Sequence, residues 1–139
     1  MKHPTPPPDA FTLAVRVAPA DLDGQAHVNN VVYLRWVQDV AIAHWEALST
    51  PELRAELGWV ARRHEIDYLA PALLDDELLL VTWVGPADGL AFERHTEVRR
   101  QSDGRVLARA RTLWIPVDAR TGRLRRVDEA VRALVSRRP

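Results

Sequence analysis

The chain has 139 residues, 19 Lys or Arg against 19 Asp or Glu, no cysteine, and 47% hydrophobic residues. This length and composition predict a single domain with enough apolar residues to form a core. The balanced charge gives no basis for general binding to nucleic acid or to anionic membranes. Without cysteine, the chain has no disulfides, thiolate nucleophiles or cysteine-ligated zinc.

Residues 1–10 are predicted to form a flexible N-terminal arm. Residues 1–8 are rich in proline and lack the apolar core of a secretory signal. No apolar run approaches the length that a bilayer-spanning helix needs. We therefore interpret residues 11–139 as one domain of a cytoplasmic protein that does not associate with membranes.

The first half of the chain predicts one strand and one long helix. Apolar and polar side chains alternate over residues 11–17, which is typical of a half-buried strand. From Val31 to about Ser49 the period becomes helical, and further apolar residues broaden the apolar face. Such a helix is expected to be wrapped by other elements. Its predicted buried stripe comprises Leu34, Val37, Ala41, Trp45 and Leu48.

The second half of the chain is mostly strand. After a short helical turn at 51–58, strands are predicted at 59–70, 77–84, 91–100 and 105–117, separated by turn residues. A last helical pattern covers residues 127–135, with acidic residues early and Arg137 and Arg138 after it. Short turns favour antiparallel neighbours, so the element order predicts an α+β fold in which an antiparallel sheet curls round one long helix.

The loop before the long helix concentrates the polar residues of interest. Asp21 and Asp23 are followed by His27 and then by Asn29 and Asn30, directly before the apolar helical run. An Asn pair at this position is a strong signal for a helix N-terminus. The exposed backbone N–H groups and the positive end of the helix dipole can stabilise a developing negative charge there. A nearby carboxylate then suggests hydrolysis of an activated carbonyl.

These residues also carry a family resemblance. Residues 21–34, DLDGQAHVNNVVYL, resemble the D-x-D-x-x-G-H-V-N-N-x-x-Y signature of the hotdog-fold, 4-hydroxybenzoyl-CoA thioesterase-like acyl-CoA thioesterases. Weaker matches follow in the right order at 65–71, 76–78, 104–110 and 121–123, so the resemblance runs from about residue 11 to residue 126. One departure is Ala26, where the family usually has glycine. If that glycine serves a positive φ, Ala26 would be strained by about 1 kcal/mol.

The resemblance implies hydrolysis of acyl-CoA thioesters without a metal or redox cofactor. Asp23 would be the catalytic carboxylate, and the backbone N–H at or beside Asn30 would polarise the thioester carbonyl. Active sites would be shared between the subunits of a homodimer or homotetramer. Alternatives are a thioesterase acting on acyl carrier protein, or a non-catalytic hotdog module that binds an acyl group.

Each residue also has a structural interpretation. Asp23 can simply hold a turn, as loop aspartates commonly do, and Asp21 is interpreted as structural. His27 is either a substrate contact or a hydrogen-bonding strut. Tyr33 either lines the substrate cleft or packs in the core. If Asp23 is catalytic, it acts either as a general base toward water or as a nucleophile that forms an anhydride.

The remaining candidates are weaker. His44, His64 and His95 lie on different predicted elements without metal-ligand spacing, so they are interpreted as structural or exposed. The arginine pairs at 62–63 and 99–100 can in principle meet the phosphates of CoA. Arginines at strand ends are more often solvated, which favours a structural role for them.

Overall fold

The structure is a computed structural model that describes residues 3–136, apart from the side chains of residues 86–88. Residues 1–2 of the predicted arm and Arg137 and Arg138 lie outside the described residues. A short 3₁₀ helix, Pro19–Asp21, precedes the long helix. The other elements, in chain order, are β1 (Phe11–Arg16), α1 (Asn30–Leu48), α2 (Pro51–Glu56), β2 (Leu57–Tyr68), β3 (Glu77–Asp88), β4 (Ala91–Arg100), β5 (Val106–Asp118) and α3 (Glu129–Val135).

The five strands form one sheet in the order β1-β3-β4-β5-β2, and every neighbouring pair is antiparallel. Helix α1 packs on the sheet against β1 and β3, and α3 packs against α1. The prediction of an α+β hotdog fold, with a curved antiparallel sheet around one long helix, is confirmed. Strands β1 and β2 are the two edges of the sheet.

The strand bounds differ from the sequence-based prediction mainly at the end of β3. A turn was expected at 85–89, but β3 continues to Asp88 and β4 begins at Ala91. The pairing of β3 with β4 shifts register between Val84 and Ala87. Pro86 falls in this shift. A bulge accommodates a residue that lacks a backbone N–H, so the strand passes through the proline instead of ending before it.

Helix α1 buries one side against the sheet that curves around it. The sheet covers that side, whereas the other side carries exposed apolar residues. Val31 is 71% exposed and Ile42 is 51% exposed. The buried stripe is also rotated from the predicted one, since it comprises Val32, Tyr33, Trp36, Val37, Val40, Ala41 and His44. Within residues 3–136, no helix is long and apolar enough to cross a membrane.

Candidate active site

Asp21 anchors the loop that precedes α1. Its side chain is buried, with Oδ2 accepting the Ala18 N–H at 2.9 Å and Oδ1 accepting Nη2 of Arg35 at 2.9 Å. Its carbonyl accepts the Asn29 N–H at 2.9 Å. Because Arg35 lies on α1, these bonds tie the loop to the helix. The structural interpretation of Asp21 is confirmed.

Asp23, two residues further on, is exposed. Its Oδ1 accepts the backbone N–H groups of Gln25 at 2.8 Å and His27 at 3.2 Å. Its own N–H donates to the carbonyl of His27 at 2.7 Å. Asp23 therefore does hold a turn. Its Oδ2 has no hydrogen-bond partner within residues 3–136, so only one oxygen of this exposed carboxylate is held by the loop.

Ala26 has a φ of 62°, in the left-handed region that favours glycine. Its N–H donates to the Asp23 carbonyl at 3.3 Å, which closes the turn. The loop thus has the positive φ that we expected from a glycine at this position. The alanine adopts it at a cost of about 1 kcal/mol.

The two asparagines at the start of α1 have different roles. Asn29 is the N-cap, since its Oδ1 accepts the Val31 N–H at 3.0 Å and its carbonyl accepts the Val32 N–H at 2.9 Å. Asn30 is the first residue of the helix. Its N–H has no acceptor in the part of the chain that the structure describes. This backbone donor lies at the positive end of the α1 dipole, where it favours a partial negative charge.

Tyr33 lies beneath the helix start and not at the surface. It is 2% exposed, and its hydroxyl accepts the Ala72 N–H at 2.9 Å. Burial raises the pKa of Tyr33 above its usual value. Its ring stacks edge-on against Tyr68, with the centroids 5.4 Å apart. The substrate contact expected of Tyr33 stays a prediction, since only a small part of this side chain is accessible.

Tyr68 is a residue of the site that the sequence reasoning did not single out. It is 46% exposed, and its hydroxyl donates to the carbonyl of Asn30 at 3.2 Å. The bond joins the end of β2 to the first residue of α1. The signal was present in the sequence, because Tyr68 belongs to the second segment that resembles the thioesterase family.

His27 contributes to the loop through its backbone and not through its ring. Its N–H and carbonyl both bond to Asp23, and its backbone bridges to Leu73. The exposed imidazole makes no hydrogen bond within the described residues. The hydrogen bonds predicted for His27 are therefore made by its backbone, and the imidazole ring is available for other contacts.

Exposed apolar side chains surround this junction of loop and helix. Val31 follows Asn30, Tyr68 bonds to Asn30, and Leu73 bridges to His27. All three are at least 43% exposed. Leu69 and Leu74, which adjoin Tyr68 and Leu73, are 47% and 44% exposed. The polar site thus lies in an apolar surface that a ligand or a second chain can cover.

The remaining candidates have structural partners. His64 Nδ1 lies 3.0 Å from Thr112 Oγ1, and His95 Nε2 lies 3.1 Å from Glu93 Oε2. His44 is buried. The structural interpretation of these histidines is confirmed. Among the residues described, no group of three or more His, Cys, Asp or Glu side chains is placed to hold a metal ion.

Most of the paired arginines are also engaged by acidic residues. Arg99 donates to Glu97, Arg100 bonds to both Asp76 and Asp103, and Arg63 lies 2.7 Å from Glu65. These contacts support the structural interpretation over a role in binding CoA. Arg62 differs from the other three, because the described residues provide no side-chain partner for it.

A five-stranded antiparallel sheet around one long helix, with a loop carboxylate and a free N–H at the helix start, defines a hotdog-fold protein of the thioesterase type. The chain belongs to the thioesterase-like superfamily, whose family model matches residues 17–135. The resemblance seen in the sequence is thereby confirmed.

An individual relative supports this assignment. The chain is 30% identical over 101 residues to an acyl-[acyl-carrier-protein] hydrolase, chloroplastic FATB1 of Cuphea viscosissima, covering 73% of this chain and 22% of that protein. It therefore spans about a fifth of the length of that curated relative.

Two solved structures are also similar. One is a thioesterase of Thermus thermophilus complexed with coenzyme A and Zn, which is 26% identical with a TM-score of 0.77, covering 89% of this chain and 90% of the other. Slr0204, a 1,4-dihydroxy-2-naphthoyl-CoA thioesterase from Synechocystis, is 19% identical with a TM-score of 0.79, covering 91% and 95%. The latter similarity shows the fold alone.

Proposed function

We propose that this protein hydrolyses acyl-CoA thioesters to a free acid and CoA. One observation carries the proposal: a loop fixes the exposed Asp23 carboxylate by Oδ1, leaves Oδ2 without a hydrogen bond to the described residues, and ends at the N–H of Asn30, which has no acceptor among them. A carboxylate and an oxyanion donor are the two groups that hydrolysis of an activated thioester requires. Membership of the thioesterase-like superfamily supports the same reaction class.

The chemistry follows from these two groups. The Asn30 N–H and the helix dipole stabilise the oxyanion that forms when the thioester carbonyl is attacked; losing one donor of this kind costs about 3–4 kcal/mol. Asp23 either removes a proton from the attacking water or attacks the carbonyl itself, which gives an anhydride that water then hydrolyses. In both routes the C–S bond breaks and the CoA thiolate leaves and takes up a proton.

The other predicted site residues have supporting places in this proposal. The imidazole of His27, exposed beside Asp23, contacts the bound thioester. Tyr33 lies beneath the start of α1, where its hydroxyl accepts the Ala72 N–H and its ring packs against Tyr68. Tyr68 in turn positions the carbonyl of Asn30.

The acyl group of the substrate can be carried by CoA or by acyl carrier protein. The 26% identity to a thioesterase solved with coenzyme A favours acyl-CoA. The 30% identity to an acyl-[acyl-carrier-protein] hydrolase favours the alternative, a thioesterase for acyl carrier protein. Direct comparison of the two carriers with the same acyl group decides between them, since the chemistry of the thioester is identical.

We also propose that the protein works as a homodimer or homotetramer. Strand β2 is a 12-residue edge strand that can pair with another strand, and the site is surrounded by exposed apolar residues. A second copy of the chain would cover both features. Light scattering is expected to give the mass of a dimer or tetramer, and a stable monomer would contradict a site shared between subunits.

Asp23→Asn is the sharpest test of the reaction. The amide oxygen still accepts the Gln25 and His27 N–H groups, so the loop is retained while the charge is lost. Turnover of an acyl-CoA panel, followed with a thiol reagent, is expected to fall about 10²- to 10⁴-fold. The matched control is Asp39→Asn, which removes an exposed carboxylate of α1 and is expected to leave turnover unchanged.

Three results of these assays would contradict or change the proposed reaction. Undiminished turnover in Asp23→Asn would show that Asp23 only holds the turn. No turnover by the unmodified protein with any acyl-CoA or acyl carrier protein would contradict catalysis itself. Turnover with acyl carrier protein substrates alone would assign the alternative.

A further inference from the structure

A separate pocket of about 380 Å³ lies between the second half of α1, the sheet and α3. Its residues on α1 begin at Gln38, eight residues beyond Asn30, which corresponds to ~12 Å along the helix axis. The volume is within the usual range for a small-molecule site. The pocket is therefore distinct from the loop that carries Asp23.

Four of the 13 residues that line the pocket are aromatic. Trp45 and Trp59 meet edge to face at 5.6 Å, and Trp59 and Phe92 do so at 5.2 Å. Trp114 lines the same space. Such rings form rigid apolar walls that suit the hydrocarbon part of a ligand.

Two arginines line this apolar pocket, and among the described residues no aspartate or glutamate does. Arg94 is 7% exposed, and its Nη1 contacts Nδ1 of His44 at 2.9 Å and Oγ1 of Thr82 at 3.1 Å. Within residues 3–136, its Nε and Nη2 make no hydrogen bond and no carboxylate lies within 4 Å of the guanidinium. A charge buried in this way normally has an ionic partner.

Neither of the groups bonded to Arg94 neutralises it. Burial, and then the charge of Arg94, lower the pKa of His44 to about 4, so this ring is neutral at pH 7. Burial lowers the pKa of Arg94 only to about 10, so the guanidinium stays charged. Asp9 lines a different and much smaller cavity with His44 and Thr82 and makes no ion pair with Arg94.

The second arginine, Arg54, has no acidic partner among the described residues either. Arg54 Nη1 donates to the Ser49 carbonyl at 2.8 Å and to Ser49 Oγ at 3.0 Å, both neutral oxygens. In addition, the indole N–H groups of Trp59 and Trp114 are buried without an acceptor in the described residues. The pocket wall thus has an excess of donors and positive charge, which a ligand with anionic oxygens would balance.

We propose that this pocket binds an apolar carboxylic acid, with the carboxylate on the guanidinium of Arg94 and the hydrocarbon part among the tryptophans. A carboxylate can accept two parallel hydrogen bonds from the fork of an arginine. Free acids of this class are what the proposed hydrolysis releases, but binding here requires no thioester and no turnover.

The test compares acids with alcohols of the same hydrocarbon by titration calorimetry at neutral pH. Decanoate is paired with 1-decanol, and 2-naphthoate with 2-naphthalenemethanol, so that the two pairs distinguish a linear from an aromatic ligand. At least one acid is expected to bind about tenfold or more tighter than its alcohol, because hydrogen bonds to a charged group are strong in a buried site. The proposal would be overturned if neither acid binds, or if both acids bind no tighter than their alcohols.

Variants identify the site. Arg94→Gln is expected to weaken acid binding about tenfold or more and to abolish the preference over the alcohol. Arg123→Gln, which removes an exposed arginine elsewhere, is the control and is expected to bind as the unmodified protein does. Unchanged affinity in a folded Arg94→Gln protein would contradict the assignment.

A second variant covers the case in which Arg94→Gln does not fold. Ala41→Phe keeps Arg94 and fills the pocket from α1. It is expected to block acid and alcohol together, and unimpaired binding would place the ligand elsewhere. Asp23→Asn is expected to leave acid binding intact, so failure of the proposed hydrolysis and failure of this site give different results.

Discussion

Ala26 shows how a single residue bears on the stability of the loop that carries Asp23. An L-residue in the left-handed region costs about 1–2 kcal/mol, whereas glycine adopts this conformation freely. Ala26→Gly relieves this strain, but part of the stabilisation is lost because glycine is more flexible in the unfolded chain. We expect Ala26→Gly to raise the free energy of unfolding by about 0.5–1 kcal/mol, measured by urea denaturation.

Gly24→Ala is the matched control in the same loop. Gly24 has no atom within 4 Å of the position of an added Cβ and no positive φ. The stability of Gly24→Ala is therefore expected to change by less than about 0.5 kcal/mol or to increase slightly. A loss of stability in Ala26→Gly would show that the alanine side chain makes contacts that outweigh the backbone strain.

For single residues, the sequence predicted that Asp21 and Asp23 have different roles but did not predict their hydrogen-bond partners. Asp21, interpreted as structural, is buried while Asp23 is exposed, although Asp21 ends a 3₁₀ helix and the stretch between the two acids is not the extended one in which alternate side chains point to opposite sides. The partner of Asp21, however, is Arg35, 14 positions away. Such a contact depends on how the helix packs against the loop, which local patterns do not specify.

For helix α1, the two asparagines at its start have separable effects on stability. Asn29→Ala removes the cap of the Val31 N–H and is expected to cost about 1 kcal/mol of unfolding free energy. Asn30→Ala changes an exposed first-turn side chain and is expected to cost less than about 0.5 kcal/mol. Urea denaturation of both variants gives the comparison.

Turnover measurements test whether the backbone or the side chain of Asn30 takes part in the reaction. The proposed oxyanion donor is the backbone N–H of Asn30, which Asn30→Ala keeps. This variant is therefore expected to hydrolyse thioesters within a few-fold of the unmodified protein. A loss of turnover similar to that of Asp23→Asn would instead assign a role to the amide side chain of Asn30.

Periodicity predicted which elements form but not which side of α1 is buried. The apolar residues of α1 cover more than half its circumference, so Val31 and Ile42 are as apolar as the buried residues and only the position of the sheet separates them. In β4, side chains alternate between the two faces of the strand, and this alternation places Arg94 on the same face as Phe92, Thr96 and Val98. A charged residue, Arg94, among the inward-facing residues of β4 is the sequence feature that corresponds to the aromatic-lined pocket.

At the scale of the whole molecule, burial of His44 links folding to pH. The ring stacks on Phe11 at 4.8 Å and accepts a hydrogen bond from Arg94, so its Nδ1 must be unprotonated. Asp9 lines the small cavity beside it. Because burial and the positive charge of Arg94 both disfavour the imidazolium, the pKa of His44 falls to about 4, against about 6.5 in the unfolded chain.

The sign of the pH dependence follows from this difference. Between about pH 4 and 6.5 the unfolded chain binds more protons at His44 than the folded protein does, so stability rises with pH and is complete above about 6.5. We expect a loss of roughly 2–3 kcal/mol on acidification across this window, measured by urea denaturation. Burial also lowers the pKa of His64, which adds a change of the same sign. His44→Gln keeps an acceptor for Arg94 but does not titrate, so its profile should be flatter. An equally steep profile in His44→Gln would assign the pH dependence to other groups.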